Sequence, residues 1–445
     1  MNRSAICLNK DLASLRQSST RSISSPILSI STWLSLLGYL GSLAMTQTVY
    51  GEAFMAVRWV MLGLCAASGT ADIILASTHG GYRTQVGNGQ ALMIYLFATF
   101  ITVIYAENWL FSGMRWASHA IMLSVLMLLL PRLVTIRQIQ ILLAILKYLM
   151  AALIIVSWIF PAPKTYLSSG NLYQGAMGDA NSMGHISFIA AFLFLQGFVI
   201  SKVPRARFLS GALAVIAMVT VWHSGARSSM IAFSIGVLLL SYYYRREMNG
   251  IVMVSMLLGS LAMVSLPKLP QEIFRFAEKS DRPGVNEGLG PVQSRAPVWS
   301  AAYEGFKKRP VLGWGFGADS SMSRQWEVKL TALGTIERDA VNDFLFMMEG
   351  SGLVGLGSYL LLIYIVLKQR PSEFQRSILR HFSRAQDADT GLMPLYHAHV
   401  ALFVLPVCLL VLNQFDNSAL SAGSLISVTL WLSAGCAAAL RHELG

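Results

Sequence analysis

Arginine, asparagine, histidine and carboxylate side chains stand out in a sequence that is otherwise strongly apolar. Only 13% of the 445 residues are charged, about half the share found in an ordinary soluble protein. The planar fork of arginine donates two parallel hydrogen bonds, which suits phosphate groups, and a carboxylate or an imidazole can accept a proton. These residue types predict a site for an anionic ligand. The candidates are Arg58, Asn181, His185, His223, Arg227, Arg295, Asn342, Asp343 and Glu349.

Each candidate also has a purely structural interpretation. Arg227 could reach the membrane interface or bind a lipid phosphate, and the two histidines could be hydrogen-bonded residues at helix ends. Asn181 and Asn342 could cap helices. Glu349 is different, because an ionisable group within an apolar span usually faces a cavity or a partner. Arg58 lies near the start of the second apolar span and could face the same cavity.

Long apolar blocks must position these side chains. The chain is 54% hydrophobic, with a mean hydropathy of +0.55, and a helix needs about 20 apolar residues to cross a ~30 Å hydrocarbon core. The sequence therefore predicts an all-α, polytopic transmembrane helix bundle of about twelve spans, with a large loop between the ninth and the tenth. The predicted spans lie near 27–46, 54–77, 90–106, 117–131, 139–160, 183–201, 208–222, 228–244, 250–267, 341–367, 394–415 and 420–440.

The distribution of lysine and arginine predicts the orientation of the bundle. With the N-terminus inside, the inner segments carry eighteen basic residues and the short outer loops carry three. The three are Arg115, Lys164 and Arg227. Since basic residues concentrate in cytoplasmic loops, both termini are predicted to be cytoplasmic. The predicted units are a tail over 1–26, nine spans within 27–267, an outer loop over 268–340 and three spans within 341–445.

The outer loop is the one long segment between spans that could hold structure of its own. It has 73 residues and contains eleven lysines and arginines against nine acidic residues. Loops this long are usually functional or disordered. Its stretch APVWSAAYEGFKKR has apolar residues at helical spacing, which predicts an amphipathic helix on the outer membrane surface.

A glycine motif near the end of the chain points away from nucleotide chemistry. Gly350, Gly352 and Gly355 form a literal G-x-G-x-x-G, but the dinucleotide fingerprint requires a strand before it and a helix after it. Here the glycines lie inside an apolar span, where small residues favour close helix packing. The packing face is predicted to continue to Gly357. The sequence has no Walker lysine motif and no metal-like cysteine spacing, so we expect no cofactor, no metal and no nucleic-acid partner.

Four segments in order resemble the bacterial O-antigen polymerase/ligase family. They read GDANSMG, HSGARSSMIAFSIGVLLL, RAPVWSAAYEGFKKRPVLGWGFG and VNDFLFMMEGSGLVGL. The resemblance covers roughly 170–367. It implies a glycosyltransferase of the bacterial inner membrane with a periplasmic active site. Such an enzyme moves a glycan from undecaprenyl pyrophosphate to an acceptor hydroxyl, among membrane lipids and in some cases with a chain-length regulator. No metal or nucleotide is implied.

The resemblance also suggests roles for individual residues. Arg227 and Arg295 match arginines that would hold phosphates, and Asn181 matches an asparagine before the sixth span. Trp314, in the P-x-L-G-W-G-x-G element, joins His185, His223, Arg58 and Asn342 as candidate substrate-binding residues.

The chain departs from the ligase pattern at one position. Ligases of this family carry a His-Asn pair at the start of the late span, whereas this chain has Val341-Asn342 and no histidine in 268–340. The general base, which would accept the proton of the acceptor hydroxyl, is therefore not assigned by the resemblance. The candidates are Asp339, Asp343 and Glu349, and Asp343 is preferred. The departure favours a polymerase. An O-antigen ligase and a non-catalytic lipid or solute transporter are the alternatives, and a transporter should show repeat symmetry that is not obvious here.

Overall fold

The computed structural model describes most of the chain, and the regular secondary structure of the described part is helical. The described residues are 29–48, 51–78, 89–160, 173–245, 247–250, 296–317, 342–371, 392–415, 420 and 423–444. Within these ranges there is no β-strand, and one isolated bridge joins Thr48 to Met177. The all-α prediction is confirmed.

Twelve helices of 13 residues or more lie in the described ranges, together with a short 3₁₀-helix over Gly51–Phe54. They are α1 (Ile30–Thr46), α2 (Met55–Thr78), α3 (Gly89–Ile104), α4 (Trp109–Leu133), α5 (Ile136–Ile159), α6 (Ala180–Ile200), α7 (Pro204–Ser224), α8 (Arg227–Tyr243), α9 (Ala296–Lys308), α10 (Asp343–Lys368), α11 (Leu392–Leu412) and α12 (Leu425–Leu444). Seven of them are long and apolar enough to cross a membrane: α2, α4, α5, α6, α7, α10 and α11. Four shorter ones are also apolar: α1, α3, α8 and α12.

Eleven of the predicted spans therefore correspond to apolar helices. The span predicted over 250–267 lies outside the described residues, so the number twelve stays a prediction, as do the predicted unit boundaries. The remaining helix, α9, coincides with the amphipathic stretch predicted within the large loop.

The fourth helix is longer than its predicted span. We predicted 117–131, but α4 runs from Trp109 to Leu133, with the Oδ1 atom of Asn108 accepting a hydrogen bond from the Phe111 amide at its start. Asparagine at this position satisfies an amide that the helix itself leaves unpaired. Arg115, assigned to an outer loop on hydropathy alone, is therefore a helical residue.

Three helices form the centre of the bundle. α6, α11 and α12 are mostly buried by protein, whereas α2 and α7 are the least buried of the long apolar helices. α6 packs along α7, and α8 packs along α11. α8 and α11 are antiparallel, since Gly236 lies against Cys408 while Tyr243 lies against Phe403. Exposed apolar side chains on the outer helices form the surface that a lipid bilayer would cover.

α10 is not a straight helix. The hydroxyl of Tyr359 donates a hydrogen bond to Asp343 Oδ2 at 3.2 Å, although sixteen residues of straight helix would separate them by about 24 Å. The reversal occurs at Gly352, where φ is +61° and ψ is −160°, a region of backbone space open essentially to glycine alone. Residues 343–351 and 353–368 therefore fold back on each other.

The segment 310–317 fixes this reversal through the backbone. Trp314 and Gly315 donate amide hydrogen bonds to the carbonyls of Glu349 and Gly350, at 3.0 Å and 2.7 Å. On the other side of the break, the amides of Leu353 and Val354 bond the carbonyls of residues 310 and 311, at 2.8 Å and 3.2 Å. Amides and carbonyls that the broken helix would leave unpaired are thus satisfied by the loop.

The glycine motif is explained by this fold. Gly352 makes the break, and a Cβ on Gly355 would lie 3.2 Å from the Met347 terminal methyl, so Gly355 allows the two halves of α10 to approach. The packing prediction holds for Gly355 but was wrong for Gly357, because no atom lies within 4 Å of a Cβ placed there.

Candidate functional site

Arg227 lies at the tight turn that joins α7 to α8. α7 ends at Ser224, Gly225 adopts a left-handed conformation with φ of +65°, and Arg227 is the first residue of α8. The Arg227 side chain is partly exposed. His223 is exposed, and its ring meets the Trp158 ring edge-on with centroids 6.2 Å apart. The turn presents a guanidinium and an imidazole at one end of the bundle.

The start of α6 packs directly against this turn. A Cβ on Gly184 would lie 2.2 Å from the Ala226 Cβ, so only glycine permits the contact. One residue later, buried His185 lies with Nε2 3.4 Å from the Ser228 hydroxyl. Asn181 is exposed and stands one helical turn before His185 on the same face. The structure thus brings Asn181, His185 and the Arg227 turn together.

Asn181 is not the cap of α6. That role belongs to Asp179, whose carboxylate accepts hydrogen bonds from the Ser182 amide at 2.9 Å and from the Ser182 hydroxyl. The capping alternative for Asn181 is therefore wrong, and Asn181 is exposed.

Arg58 reaches the same end of the bundle by a different route. Its Nη1 atom donates to the Gly423 carbonyl at 3.4 Å, and the guanidinium lies 4.9 Å from the centroid of the Trp59 ring. The Gln47 side chain bonds the same carbonyl at 3.2 Å, and the Gln47 carbonyl accepts from the Gly178 amide at 2.8 Å. Arg58 is thereby linked to the segment that leads into α6.

Asn342 caps α10, as its structural interpretation predicts. Its Oδ1 accepts hydrogen bonds from the amides of Phe344 and Leu345, at 2.9 Å and 3.1 Å. Its Nδ2 donates to the Gln414 carbonyl at 2.8 Å, just beyond the end of α11. Both ends of the amide are engaged by the backbone. Asn342 therefore fixes the position of Asp343 rather than offering a free group to a ligand.

Asp343 is buried at the start of α10. Its side chain is inaccessible to solvent, and its amide bonds the Asn413 carbonyl at 3.3 Å. Asn413 lies five residues beyond Cys408 on α11, and Arg227 lies nine residues before Gly236 on α8. Because Gly236 and Cys408 are adjacent and the two helices are antiparallel, Arg227 and Asp343 lie at the same end of this helix pair.

Glu349 and Trp314 meet at the break in α10. Glu349 is 1% exposed, and its carbonyl accepts the Trp314 amide at 3.0 Å. The Trp314 indole donates to the Gly305 carbonyl at 2.9 Å, and the Arg309 guanidinium stacks on its ring at 4.2 Å. Trp314 therefore anchors the 310–317 segment with both its backbone and its side chain.

Two buried polar residues were missed by the sequence analysis. The hydroxyl of Tyr95 and the Nε2 atom of His119 lie 3.2 Å apart, and the Tyr95 ring lies 6.2 Å from the Tyr359 ring. The sequence signal for His119 was an ionisable residue in the span predicted over 117–131. It was overlooked because the candidates were taken from the outer ends of the helices.

Within the described ranges, the candidates divide into two groups at one end of the bundle. Arg227, His223, His185 and Asn181 surround the turn between α7 and α8, and Asp343, Asn342, Glu349 and Trp314 surround the folded-back α10. Arg58 reaches Gly423, in the α11–α12 connection whose other end, at Gln414, contacts Asn342. Arg295 and Asp339 lie outside the described residues. No group of three metal-ligating side chains occurs in the part of the chain that the structure describes.

Comparison with known proteins gives a family for this region. Residues 212–360 match the family described as O-Antigen ligase. A protein from Haemophilus influenzae, named only "Uncharacterized protein", is 25% identical over 199 residues, which is 41% of this chain and 48% of that protein. The matched region thus spans about half the length of this relative, whose name gives no activity.

The family match begins within α7 and ends within the second half of α10. It therefore contains both Arg227 and the folded-back helix that carries Asp343 and Glu349. The resemblance inferred from the motifs is confirmed. This chain is an integral membrane protein in which residues 212–360 match the O-antigen ligase family, and this match supports its place in the O-antigen polymerase/ligase family.

Proposed function

We propose that this protein is a polysaccharide polymerase that works on lipid-linked repeat units. The acceptor hydroxyl of one unit attacks the anomeric carbon of the glycan carried by another. The bond from that carbon to the undecaprenyl pyrophosphate breaks, the new glycosidic bond forms, and the hydroxyl proton passes to a base. The observation that carries the proposal is the family match over 212–360, which contains every candidate catalytic residue: Arg227, Arg295, Asp343 and Glu349.

Arginine is the residue type that this reaction needs most. Negative charge develops on the departing pyrophosphate, and a cation fixed in place before the reaction stabilises that charge without reorganisation. Arg227 stands on a turn that Gly225 makes possible by its left-handed conformation and that packs closely against Gly184. We assign Arg227 and Arg295 to the pyrophosphate. Asn181, His185 and His223 surround Arg227 and are assigned to the donor head group, with Arg58 as a further cation.

Asp343 is our assignment for the base. Of the two candidate acids in the described residues, Asp343 is the one whose carboxylate accepts a hydrogen bond from the neighbouring Tyr359, at 3.2 Å. Asn342 and the end of α11 fix its backbone. A general base contributes about 10²–10⁴-fold to a reaction of this type. Glu349, at the break of α10, is the second choice.

The polymerase assignment rests on residue 341. The late-span histidine that the ligases carry is replaced by Val341 in this chain. O-antigen ligase is the second candidate function, because the matching family is described as O-Antigen ligase. A ligase would move finished glycan to lipid A-core or another acceptor with the same donor and the same arginines.

The cellular setting follows from the proposed donor. An undecaprenyl pyrophosphate keeps its tail in the bilayer while its head group reaches a polar cavity at the membrane surface. We place the protein in the bacterial inner membrane with its active site on the periplasmic side and both termini in the cytoplasm. A chain-length regulator is a possible partner.

Deletion of the gene in the source bacterium tests the proposal. A polymerase deletion should leave single repeat units attached to the acceptor, seen as one short band on a glycan gel. A ligase deletion should abolish attachment and leave the lipid-linked glycan to accumulate. An unchanged glycan profile would contradict both functions. Restoration of the gene from a plasmid, with and without Arg227→Ala, controls for effects on neighbouring genes.

A further inference from the structure

The fold-back of α10 places a second layer of polar side chains behind Asp343. Tyr95, His119, Asp343 and Tyr359 come from three different helices, and none is more than 1% exposed. Burial of polar and ionisable groups in a membrane protein is costly, and such groups usually mark functional sites. Asn342 and Asn413 already fix the start of α10 through the backbone. The side-chain cluster therefore needs its own explanation.

The contacts run in one direction, away from the Asp343 carboxylate. Tyr359 donates its hydroxyl hydrogen to Asp343 Oδ2 at 3.2 Å. The Tyr359 ring lies 6.2 Å from the Tyr95 ring, and the Tyr95 hydroxyl lies 3.2 Å from His119 Nε2. Asp343 is thus contacted by Tyr359, Tyr359 by Tyr95, and Tyr95 by His119.

The far end of the cluster is closed by aromatic residues. The His119 ring lies 5.5 Å from the Phe316 ring, which meets the Phe346 ring edge-on at 6.2 Å. Phe316 belongs to the segment that fixes the break in α10. Within the described residues, His119 Nδ1 is buried and has no hydrogen-bond partner. A polar atom left in this state costs stability, so stability alone does not explain a histidine here.

We propose that Tyr359 is a positioning residue for Asp343, and that Tyr95 and His119 hold Tyr359 in place. This inference rests on the proposed function, in which Asp343 accepts the acceptor proton. The Tyr359 hydroxyl holds one carboxylate oxygen of Asp343 in a fixed orientation. The fold-back of α10 is required for this contact, because a straight helix would separate Tyr359 from Asp343.

The inference assigns a role to helices that lie before the region of the family match. Asp343 and Tyr359 lie inside 212–360, whereas Tyr95 on α3 and His119 on α4 lie well before it. A further contact, between the Thr102 and Ser351 hydroxyls at 3.3 Å, joins α3 to α10. The N-terminal helices are therefore part of the catalytic site and more than a membrane anchor for it.

The test compares single and double variants of purified protein in lipid nanodiscs, with lipid-linked repeat units as the substrate. Tyr359→Phe removes one hydroxyl and should lower kcat about tenfold, the usual effect of losing one hydrogen bond to a charged group, while KM for the donor stays unchanged. Asp343→Asn should lower kcat by about 10²–10⁴-fold. In the Asp343→Asn background, Tyr359→Phe should cause no further loss of kcat, since its effect acts through the carboxylate.

A matched control separates positioning from folding. Tyr244 is also a buried tyrosine, with its hydroxyl 3.2 Å from Gln196 Nε2 and 3.0 Å from His397 Nδ1. Tyr244→Phe should lower the midpoint of thermal unfolding as Tyr359→Phe does and leave kcat at the wild-type value. His119→Gln should lower kcat less than Tyr359→Phe, because it acts one contact further away.

The outcomes separate this inference from the proposed function. Wild-type protein that makes no polymer overturns the proposed function and this inference with it. Active wild-type protein with an unchanged kcat for Tyr359→Phe overturns the inference alone. Equal losses from Tyr359→Phe in the wild-type and Asp343→Asn backgrounds also overturn it, because the hydroxyl would then act independently of the carboxylate.

Discussion

Arg227 combines a backbone turn packed closely against α6 with a partly exposed side chain. It is the first residue of α8, after a left-handed Gly225 and a buried Ala226. Arg227→Ala should abolish chain extension while the protein still inserts in the membrane. Arg227→Lys should fail too, because a single ammonium group does not reproduce the bidentate fork. The measurement is glycan length on a gel alongside the amount of protein in the membrane fraction.

Arg207 is the matched control for this prediction. It is an exposed arginine near the start of α7, at the opposite end of that helix from Arg227, and it stacks on Phe198 at 4.9 Å. Arg207→Ala should leave glycan length unchanged. Full-length polymer from Arg227→Ala would contradict the assignment to the pyrophosphate.

Arg295 gives a second, independent prediction. It precedes α9 directly in the sequence, and the family resemblance assigns it to the phosphates. Arg295→Ala should abolish extension with normal membrane insertion. Lys307→Ala in the same segment is the control, because Lys307 pairs with Glu304 on the exposed face of α9 at 2.7 Å. Polymer of normal length from Arg295→Ala would remove Arg295 from the site.

Residue types alone identified the candidates but not their roles. Asn181 and Asn342 were equivalent in the sequence, yet Asn342 is occupied by capping contacts, whereas Asp179 takes the cap of α6. His119 and Tyr95 escaped notice because a lone polar residue in an apolar span gives no sign of its tertiary neighbours. Their contacts join helices that are distant in the sequence, and periodicity reports only on neighbours within one helix.

Gly352 decides the geometry of α10, and a single substitution tests it. A Cβ at this position would lie 2.3 Å from the Val311 carbonyl oxygen, and the backbone has φ of +61°. Gly352→Ala should cost about 1–3 kcal/mol from backbone strain alone, with the clash in addition. We expect a lower midpoint of thermal unfolding and loss of polymer, because the half-helix that carries Asp343 is displaced.

Gly357→Ala provides the comparison within the same helix. A Cβ at 357 meets nothing within 4 Å, and alanine is the better helix former by about 1 kcal/mol. This variant should keep full activity and unfold at the same or a higher temperature. Equal behaviour of the two variants would show that the break at Gly352 does not matter for the fold.

Helices were easier to predict than the interruption of one. Hydropathy identified α10 because mean hydropathy depends only on composition. Composition carries no sign of the position where a helix reverses. The reversal depends on backbone hydrogen bonds from 310–317, a segment more than thirty residues earlier in the chain. The glycines were visible in the sequence, but the partner that fixes them was not. The predicted span for α4 was too short for a related reason. The first turns of α4 mix polar and apolar residues, so their mean hydropathy does not indicate a membrane span.

The described part of the molecule is a helix bundle, and the candidate residues within it lie towards one end of that bundle. The antiparallel order of α6, α7, α8 and α11 places the start of α6, the end of α7, the start of α8 and the end of α11 together. The counts of lysine and arginine in the segments between spans predicted that the candidates lie at one end. They do so because successive helices run in alternating directions, so that alternate segments lie on the same side. The counts could not predict which side chains touch, since that depends on how deep each helix lies and how it is rotated.

The orientation of the bundle is a prediction that one labelling experiment can decide. Val203 precedes α7 and is 59% exposed, and Arg227 lies just past the other end of this 21-residue helix. A helix of that length extends about 31 Å, enough to cross the hydrocarbon core. In a Cys7→Ser background, Val203→Cys should react with a membrane-impermeant maleimide only after the cells are permeabilised. Cys65, Cys408 and Cys436 are buried and should not react.

Glu107→Cys is the partner variant for the opposite side. Glu107 is exposed between α3 and α4 and pairs with Arg309 at 3.1 Å, and loss of an exposed pair costs at most about 1 kcal/mol. It should react in intact spheroplasts. Reaction of Val203→Cys in intact spheroplasts, with protection of Glu107→Cys, would place Arg227 and Asp343 on the cytoplasmic side. A periplasmic polymerase would then be excluded whatever its residues could do chemically, because the lipid-linked donor would meet them on the wrong face of the membrane.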